Sequence, residues 1–304
     1  MQDARQRMRA SAIVLGTGAF WGLYWLPVRK LADLGLPGAW GTVAITLMAA
    51  LVLAPLALRA RARIARASML ELLCVALGGA AFALYSVGFV HGRVALVILL
   101  YFLTPVWSTL IGRWLMGWPI PPLRMGAIAL GLAGLGVMLG AGGGLPLPRG
   151  IGEWMALAAG MLWSVSTTGM RAQAMRDSGP GLAPGAAAFV FALGALAAAA
   201  GLALALPAGA TETGGTAVPV IPVLAVALLA GGLWWGLSLM ALMWATVRLE
   251  PARVGLLLMT EVVIGAVSAA VLAGETLRPA EILGGALVIG AGVLELWPLR
   301  DRRA

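Results

Sequence analysis

The chain has 304 residues, of which 61% are hydrophobic and only 11% charged, with a net charge of +9. A soluble globule this apolar would expose large greasy patches and aggregate, which excludes that class. The positive charge is mostly arginine at the ends of apolar runs, where it sets membrane topology, so no nucleic-acid partner is expected.

Runs of about 20 uncharged residues match the ~30 Å hydrocarbon core of a bilayer. The opening MQDARQRMRA resembles the charged start of a secretory signal. No small-residue cleavage site followed by a soluble chain is evident, so a first transmembrane helix is expected instead. In chain order the apolar runs and their Gly, Pro and Arg punctuation predict ten spans: 11–31, 39–58, 69–90, 94–115, 123–141, 151–171, 183–206, 220–247, 253–273 and 280–299. The expected fold is therefore all-α, a polytopic membrane protein with a lipid bilayer as its surroundings. With the N-terminus inside, 16 of the 21 Lys and Arg residues fall in inner segments, including Arg59, Arg61, Arg63 and Arg66. Only Arg29, Lys30, Arg93, Arg149 and Arg278 fall outside. That split predicts cytoplasmic N- and C-termini in a cell (inner) membrane.

The chain also repeats itself. GTGAFWGLYWLPVRK (16–30) lies over AAGMLWSVSTTGMRA (158–172), matching Trp21 with Trp163. LTPVWSTLIG (103–112) lies over MTEVVIGAVS (259–268), and GAIALGLAGLGVML (126–139) over GGALVIGAGVLELW (284–297). Two copies of five helices, 11–147 and 151–299, are predicted. An odd number of crossings makes the second copy enter the membrane from the opposite side. Inverted copies of this kind bracket a midplane binding site in many secondary transporters.

These residues resemble a known family. FWGLYWLPVRK in the first span, the five-helix copies and AGETLRPAEILGGALVIGAGV near the end are similar to the drug/metabolite transporter superfamily, more narrowly its EamA-type exporters. LMTEVVIGAVSAAVLAGE resembles the branch that exports aromatic amino acids. The resemblance implies ten helices around a central cavity and outward movement of small metabolites. The chain departs from the pattern twice. Glu261 stands where many relatives have a proline, as the first copy does at Pro105, and MGWPIPP lacks the glutamate that Glu275 keeps in the second copy.

Candidate site residues follow from polarity inside spans. Glu261 interrupts the apolar run from Val254 to Gly274. A charge at a helix centre costs about 2.5–3.5 kcal/mol on insertion scales and normally faces a bundle interior or water. Glu261 reads either as a substrate contact or proton-titrating group, or as a protonated side chain bonded to a neighbouring helix. Gly265 and Ser268 continue its face. Trp21, Tyr24 and Trp25 share one face of the first span, Phe82, Tyr85 and Phe89 one face of the third, and Tyr101 lies in the fourth. Each ring alone reads as packing, whereas buried phenols need hydroxyl partners and together could line a cavity. Trp163, Ser164 and Thr168 form a polar stretch of the sixth span, able to meet a polar substrate end or to bond back to their own helix. Trp234, Trp235 and Ser238 are equally two-sided. Trp40, Trp114, Trp118, Trp154 and Trp297 sit near span ends and read as interfacial anchors. Small-residue ridges at Gly136/Gly140 and Ala286/Gly290 predict close helix approach.

No phosphate-binding loop, acidic cluster or nucleophile–base pair is evident, and the single cysteine, Cys74, excludes a cysteine metal cluster. The expectation is a non-enzymatic secondary transporter with no cofactor, exporting amino acids, aromatic or large apolar ones, or similar metabolites. Multidrug or cationic-compound efflux is the alternative. A monomer suffices for either, and homo-oligomerisation stays open.

Overall fold

Arg5–Asp33 reads as one apolar span, yet it breaks at Gly22–Tyr24 into α1 (Gln2–Trp21) and α2 (Trp25–Asp33). The cause is local. Pro27 has no N–H for the Leu23 carbonyl, which instead accepts from Leu26 N at 3.0 Å. Gly22 sits at a close crossing, where a Cβ would lie 2.7 Å from the Glu261 carbonyl oxygen. This computed structural model describes residues 2–117, 120, 122–140, 147–176, 181–206, 218–246, 248, 249, 254 and 257–295.

The chain continues through α3 (Trp40–Arg59), the short α4 (Arg61–Arg66), and α5 (Met69–His91), which Ser68 caps by accepting from Glu71 N. Then follow α6 (Val94–Tyr101), α7 (Thr104–Met116), α8 (Pro122–Gly140), α9 (Ile151–Arg176) and α10 (Pro184–Ala205). A further span joins α11 (Val220–Leu229), a nine-residue π segment (Ala230–Ser238) and α12 (Leu239–Thr246). The last two are α13 (Thr260–Leu272) and α14 (Pro279–Glu295). Every regular element among the described residues is helical. Among the described residues, seven helical stretches are long and apolar enough to cross a membrane. Helix α9 has the length but carries a Ser/Thr stretch, and Thr260–Leu272 and Pro279–Leu294 are shorter apolar helices.

Two helix breaks are built alike. Between α6 and α7, Pro105 cannot donate to the Tyr101 carbonyl, and the Thr104 hydroxyl takes that carbonyl at 2.5 Å. The Leu103 carbonyl then accepts from both Val106 N (2.9 Å) and Trp107 N (3.2 Å). Before α13, the Thr260 hydroxyl bonds the Leu257 carbonyl at 2.8 Å. The Met259 carbonyl accepts from Val262 N (3.1 Å) and Val263 N (3.4 Å). The second break needs no proline; Glu261 stands at the corresponding position.

Helix α5 packs on α9 and α10, α10 on α3, and α8 on α14. Helix α9 meets α6 and α7, the π segment meets α3, α1 meets α12 and α13, and α13 meets α6. Glycines set several of these crossings. Cβ atoms added at Gly134 and Gly284 would each lie within 2.7 Å of the other's carbonyl oxygen. This corrects the expected ridge, because Gly136 and Gly140 face open space. Two residues along a helix turn a side chain by about 200°, so the contact lies on the other face of α8. On α13, Val263, Val267 and Val271 are 50%, 55% and 73% exposed, while Val262, Gly265, Ser268 and Ala269 are buried. An exposed apolar stripe opposite a small, partly polar one is the inverse of a water-facing helix and fits a lipid surround.

Candidate functional site

Glu261 is the second residue of α13, just after the break, and remains partly exposed. Its Oε1 accepts a 3.3 Å hydrogen bond from the Tyr85 hydroxyl on α5. The Tyr85 ring stacks on Tyr101 with centroids 4.3 Å apart and planes at 27°. Tyr101 ends α6 at the other break. One carboxylate and two phenols thus meet where two interrupted helices and α5 converge. Helix interruptions put unpaired carbonyls and side-chain hydroxyls inside the bundle, a feature tolerated where protein or a cavity satisfies them.

A second group of rings adjoins the first through Phe82. The Phe82 ring is edge-on to Trp21 (4.8 Å), Trp235 (5.3 Å) and Tyr85 (5.5 Å). Tyr24 is fully buried; its hydroxyl accepts from Trp235 Nε1 at 3.3 Å and lies 3.4 Å from Ser86 Oγ, which pairs with Thr42 Oγ1 at 2.8 Å. Trp21 Nε1 donates to Ser238 Oγ at 2.9 Å. The π segment contributes two consecutive tryptophans to this region: Trp235 is fully buried, and Trp234 stacks on Phe20 at 3.9 Å. Widening the helical turn changes the rotation per residue, and such segments recur at functional sites.

The remaining sequence candidates lie around this core. Trp163 is partly exposed and reaches the rings through Phe191, edge-on at 6.0 Å. Ser164 is fully buried, its hydroxyl bonded to the Gly160 and Thr104 carbonyls at 2.8 and 3.0 Å. Thr168 is buried one turn further along α9. Ser268 accepts from Trp25 Nε1 at 3.0 Å and bonds the Gly265 carbonyl at 3.1 Å. Sequence reasoning did not single out Phe191, Thr42 or Ser86. The signal available for the last two was a hydroxyl inside an apolar span. Trp40, Trp114 and Trp154 are exposed at helix ends, whereas Trp118 and Trp297 lie outside the described residues.

At one end of the bundle, charged groups tie early helices to late ones. Glu275 accepts from Val94 N (2.7 Å), Ala95 N (3.1 Å) and Arg29 (3.2 Å), so one carboxylate caps α6 and binds α2. Arg93 grips Glu281 with two bonds of 2.5 and 3.1 Å and also donates to the Thr276 carbonyl. The hydrogen bond to Glu281 raises the Arg93 pKa above the ordinary arginine value, keeping the cation charged. Beside this lattice a groove of about 740 Å³ is lined by Trp25, Arg29, Lys30, Asp33 and Trp234. A second groove, of about 870 Å³, lies by α4. Glu261, Tyr85 and Tyr101 line neither: in this conformation the two phenols stack on each other and the Tyr85 hydroxyl is bonded to the carboxylate.

No family model matches the sequence, and no curated protein does. Solved structures are similar: one described only as "Crystal structure of protein" has a TM-score of 0.53 at 20% identity. The likeness covers 94% of this chain and 97% of that one. At that identity it concerns the fold alone, along nearly the whole length of both chains.

Proposed function

We propose that the protein is a secondary transporter that exports amino acids, aromatic or large apolar ones, across the inner membrane by alternating access, built as ten spans in two inverted five-helix copies. The observation that carries this reading is the Glu261 carboxylate, on a half-buried residue at a helix break and bonded to a tyrosine inside a bundle of aromatic rings. Interrupted helices near the midplane are where transporters of many folds hold substrates and coupling ions. A carboxylate suits an ammonium group, and the neighbouring rings suit an apolar side chain.

The packing supports the duplicated architecture. Exchange the first five spans with the last five, in order, and the main contacts between halves map onto one another. The α5–α9 contact becomes that of α12 with α1, the α6/α7–α9 contact becomes that of α13 with α1, and the α5–α10 contact becomes that of the π segment with α3. The α3–α10, α6–α13 and α8–α14 contacts map onto themselves. The Thr104 and Thr260 breaks correspond under the same exchange, and so do Gly18 and Gly160, which pack beside the Leu257 and Tyr101 carbonyls respectively. Halves that can trade environments offer a way to expose one site to either side. In this reading the Arg29–Glu275 and Arg93–Glu281 pairs hold the outer end shut.

Counterflow into proteoliposomes tests the function. Vesicles loaded with unlabelled aromatic amino acids should accumulate labelled phenylalanine or tryptophan, and cation-loaded vesicles should not. The same carboxylate and rings also suit a quaternary cation. Exchange of cations alone would replace amino-acid export with drug efflux.

A further inference from the structure

The end opposite the Glu275 lattice carries a groove of about 870 Å³, within the size range of small-molecule sites. Helix α3 separates the two ends. Gly41 packs on Leu31 near the lattice, and Arg59 lies 18 residues further, roughly 27 Å along a straight helix. Arg59, Arg63 and Arg66 line the groove from one side, and Leu56, Met240 and Trp244 from others. The arginines are exposed, and none of their side chains has a hydrogen bond or ion pair among the described residues. No carboxylate occurs among the lining residues. Nearby Glu71 is occupied by the Leu182 N–H, which holds the approach to α10.

Charge and polarity change together across this groove. Arg63 and Arg66, three residues apart, share one side of α4; Arg59 reaches the groove from the end of α3, and Arg61 is absent from the lining. The apolar wall is exposed too, with Met240 at 40% and Trp244 at 39%. A cationic rim above an apolar wall, at the end of a membrane span, matches an amphiphile with an anionic head and an acyl chain.

We propose that this groove is a binding site for an anionic phospholipid, with Arg59 and Arg63 on the phosphate and Leu56, Met240 and Trp244 along the first acyl segments. The proposal rests on the membrane-spanning reading and on no particular transport activity. Basic clusters at helix ends attract anionic lipid in general; the groove makes the attraction positional, so that arginines four residues apart count and the one between them does not.

Native mass spectrometry of the full chain released from neutral detergent micelles separates these cases. The probes are palmitoyl-oleoyl phosphatidylglycerol, the matching phosphatidylcholine and glycerol 1-phosphate. One phosphatidylglycerol should be retained in preference to both others. Its apparent affinity should fall roughly tenfold in an Arg59→Gln/Arg63→Gln double variant and change less than about twofold in Arg61→Gln. These are exposed side chains, so the variants should fold, and circular dichroism checks that they do. Equal weakening by Arg61→Gln would mean diffuse attraction and would overturn the site. So would equal retention of phosphatidylcholine, no retention of phosphatidylglycerol, or retention of glycerol 1-phosphate to the same degree. Because no substrate is present, failure here leaves the transport reading untouched, and failed counterflow leaves the lipid site standing.

Discussion

At the scale of single residues, the question is what a carboxylate does inside an apolar bundle. The Tyr85 hydroxyl supplies Glu261 with one hydrogen bond, and the residue is half-buried. Replacing Glu261 by Gln keeps shape and the acceptor oxygen but removes the charge. In the proposed transporter this variant should fold normally, measured by its elution and melting in detergent. It should also lose at least about tenfold in apparent substrate affinity, or lose the pH dependence of counterflow, because a charge-assisted contact contributes about 1.5–3 kcal/mol. Tyr85→Phe, which deletes only the donor, should cost less, about fivefold, in line with ~1 kcal/mol for a single hydrogen bond. A Glu261→Gln protein with unaltered kinetics at every pH would return the residue to a packing role.

At the scale of elements, glycines decide how closely helices approach, and they are not equivalent. A Cβ at Gly231, in the π segment, would fall 2.7 Å from Ala49 N and 2.8 Å from the Ile45 carbonyl oxygen, both backbone atoms that cannot swing away. Gly231→Ala must push α3 and the π segment apart, at about 1–3 kcal/mol for overpacking. Gly136→Ala meets nothing within 4 Å and removes a flexible residue from a helix interior, a change worth up to ~1 kcal/mol in the other direction. Thermal unfolding in the same detergent should therefore lower the midpoint for the first variant and hold or raise it for the second. If the two behave alike, the close α3–π contact is not what fixes this part of the bundle.

For the whole molecule, the test is which end of the bundle faces which compartment. The segments predicted to lie outside gather at one end: Arg29 and Arg93 join the Glu275 lattice, and a Cβ at Gly150 would be 4.0 Å from the His91 carbonyl oxygen. Arg59 and Arg63 lie at the other end. A Gly150→Cys protein made on a Cys74→Ser background should react with a membrane-impermeant thiol reagent added to intact cells. Labelling only after the cytosolic side is opened would remove the inverted-repeat reading, and with it the argument that one site serves both faces.

The sequence by itself determined the membrane-compatible all-helical class and most helix limits. Apolar run length is a local property, and so are the helix ends marked by Pro, Gly and Arg. The prediction of 183–206 meets α10 at Pro184–Ala205, and 123–141 meets α8 at Pro122–Gly140. It also identified Glu261 as anomalous, because solvation of a carboxylate depends on the twenty residues around it. Only the tertiary structure decided its partner, since Tyr85 is 176 residues away in the chain. The same holds for the proline-free break at Met259, the π segment behind Trp234 and Trp235, and the use of Gly134 rather than Gly136 at a crossing. Each depends on the rotation and height of one helix against another. Those are set by which small residues let two backbones touch, a pairwise property that hydrophobic pattern along one chain does not encode.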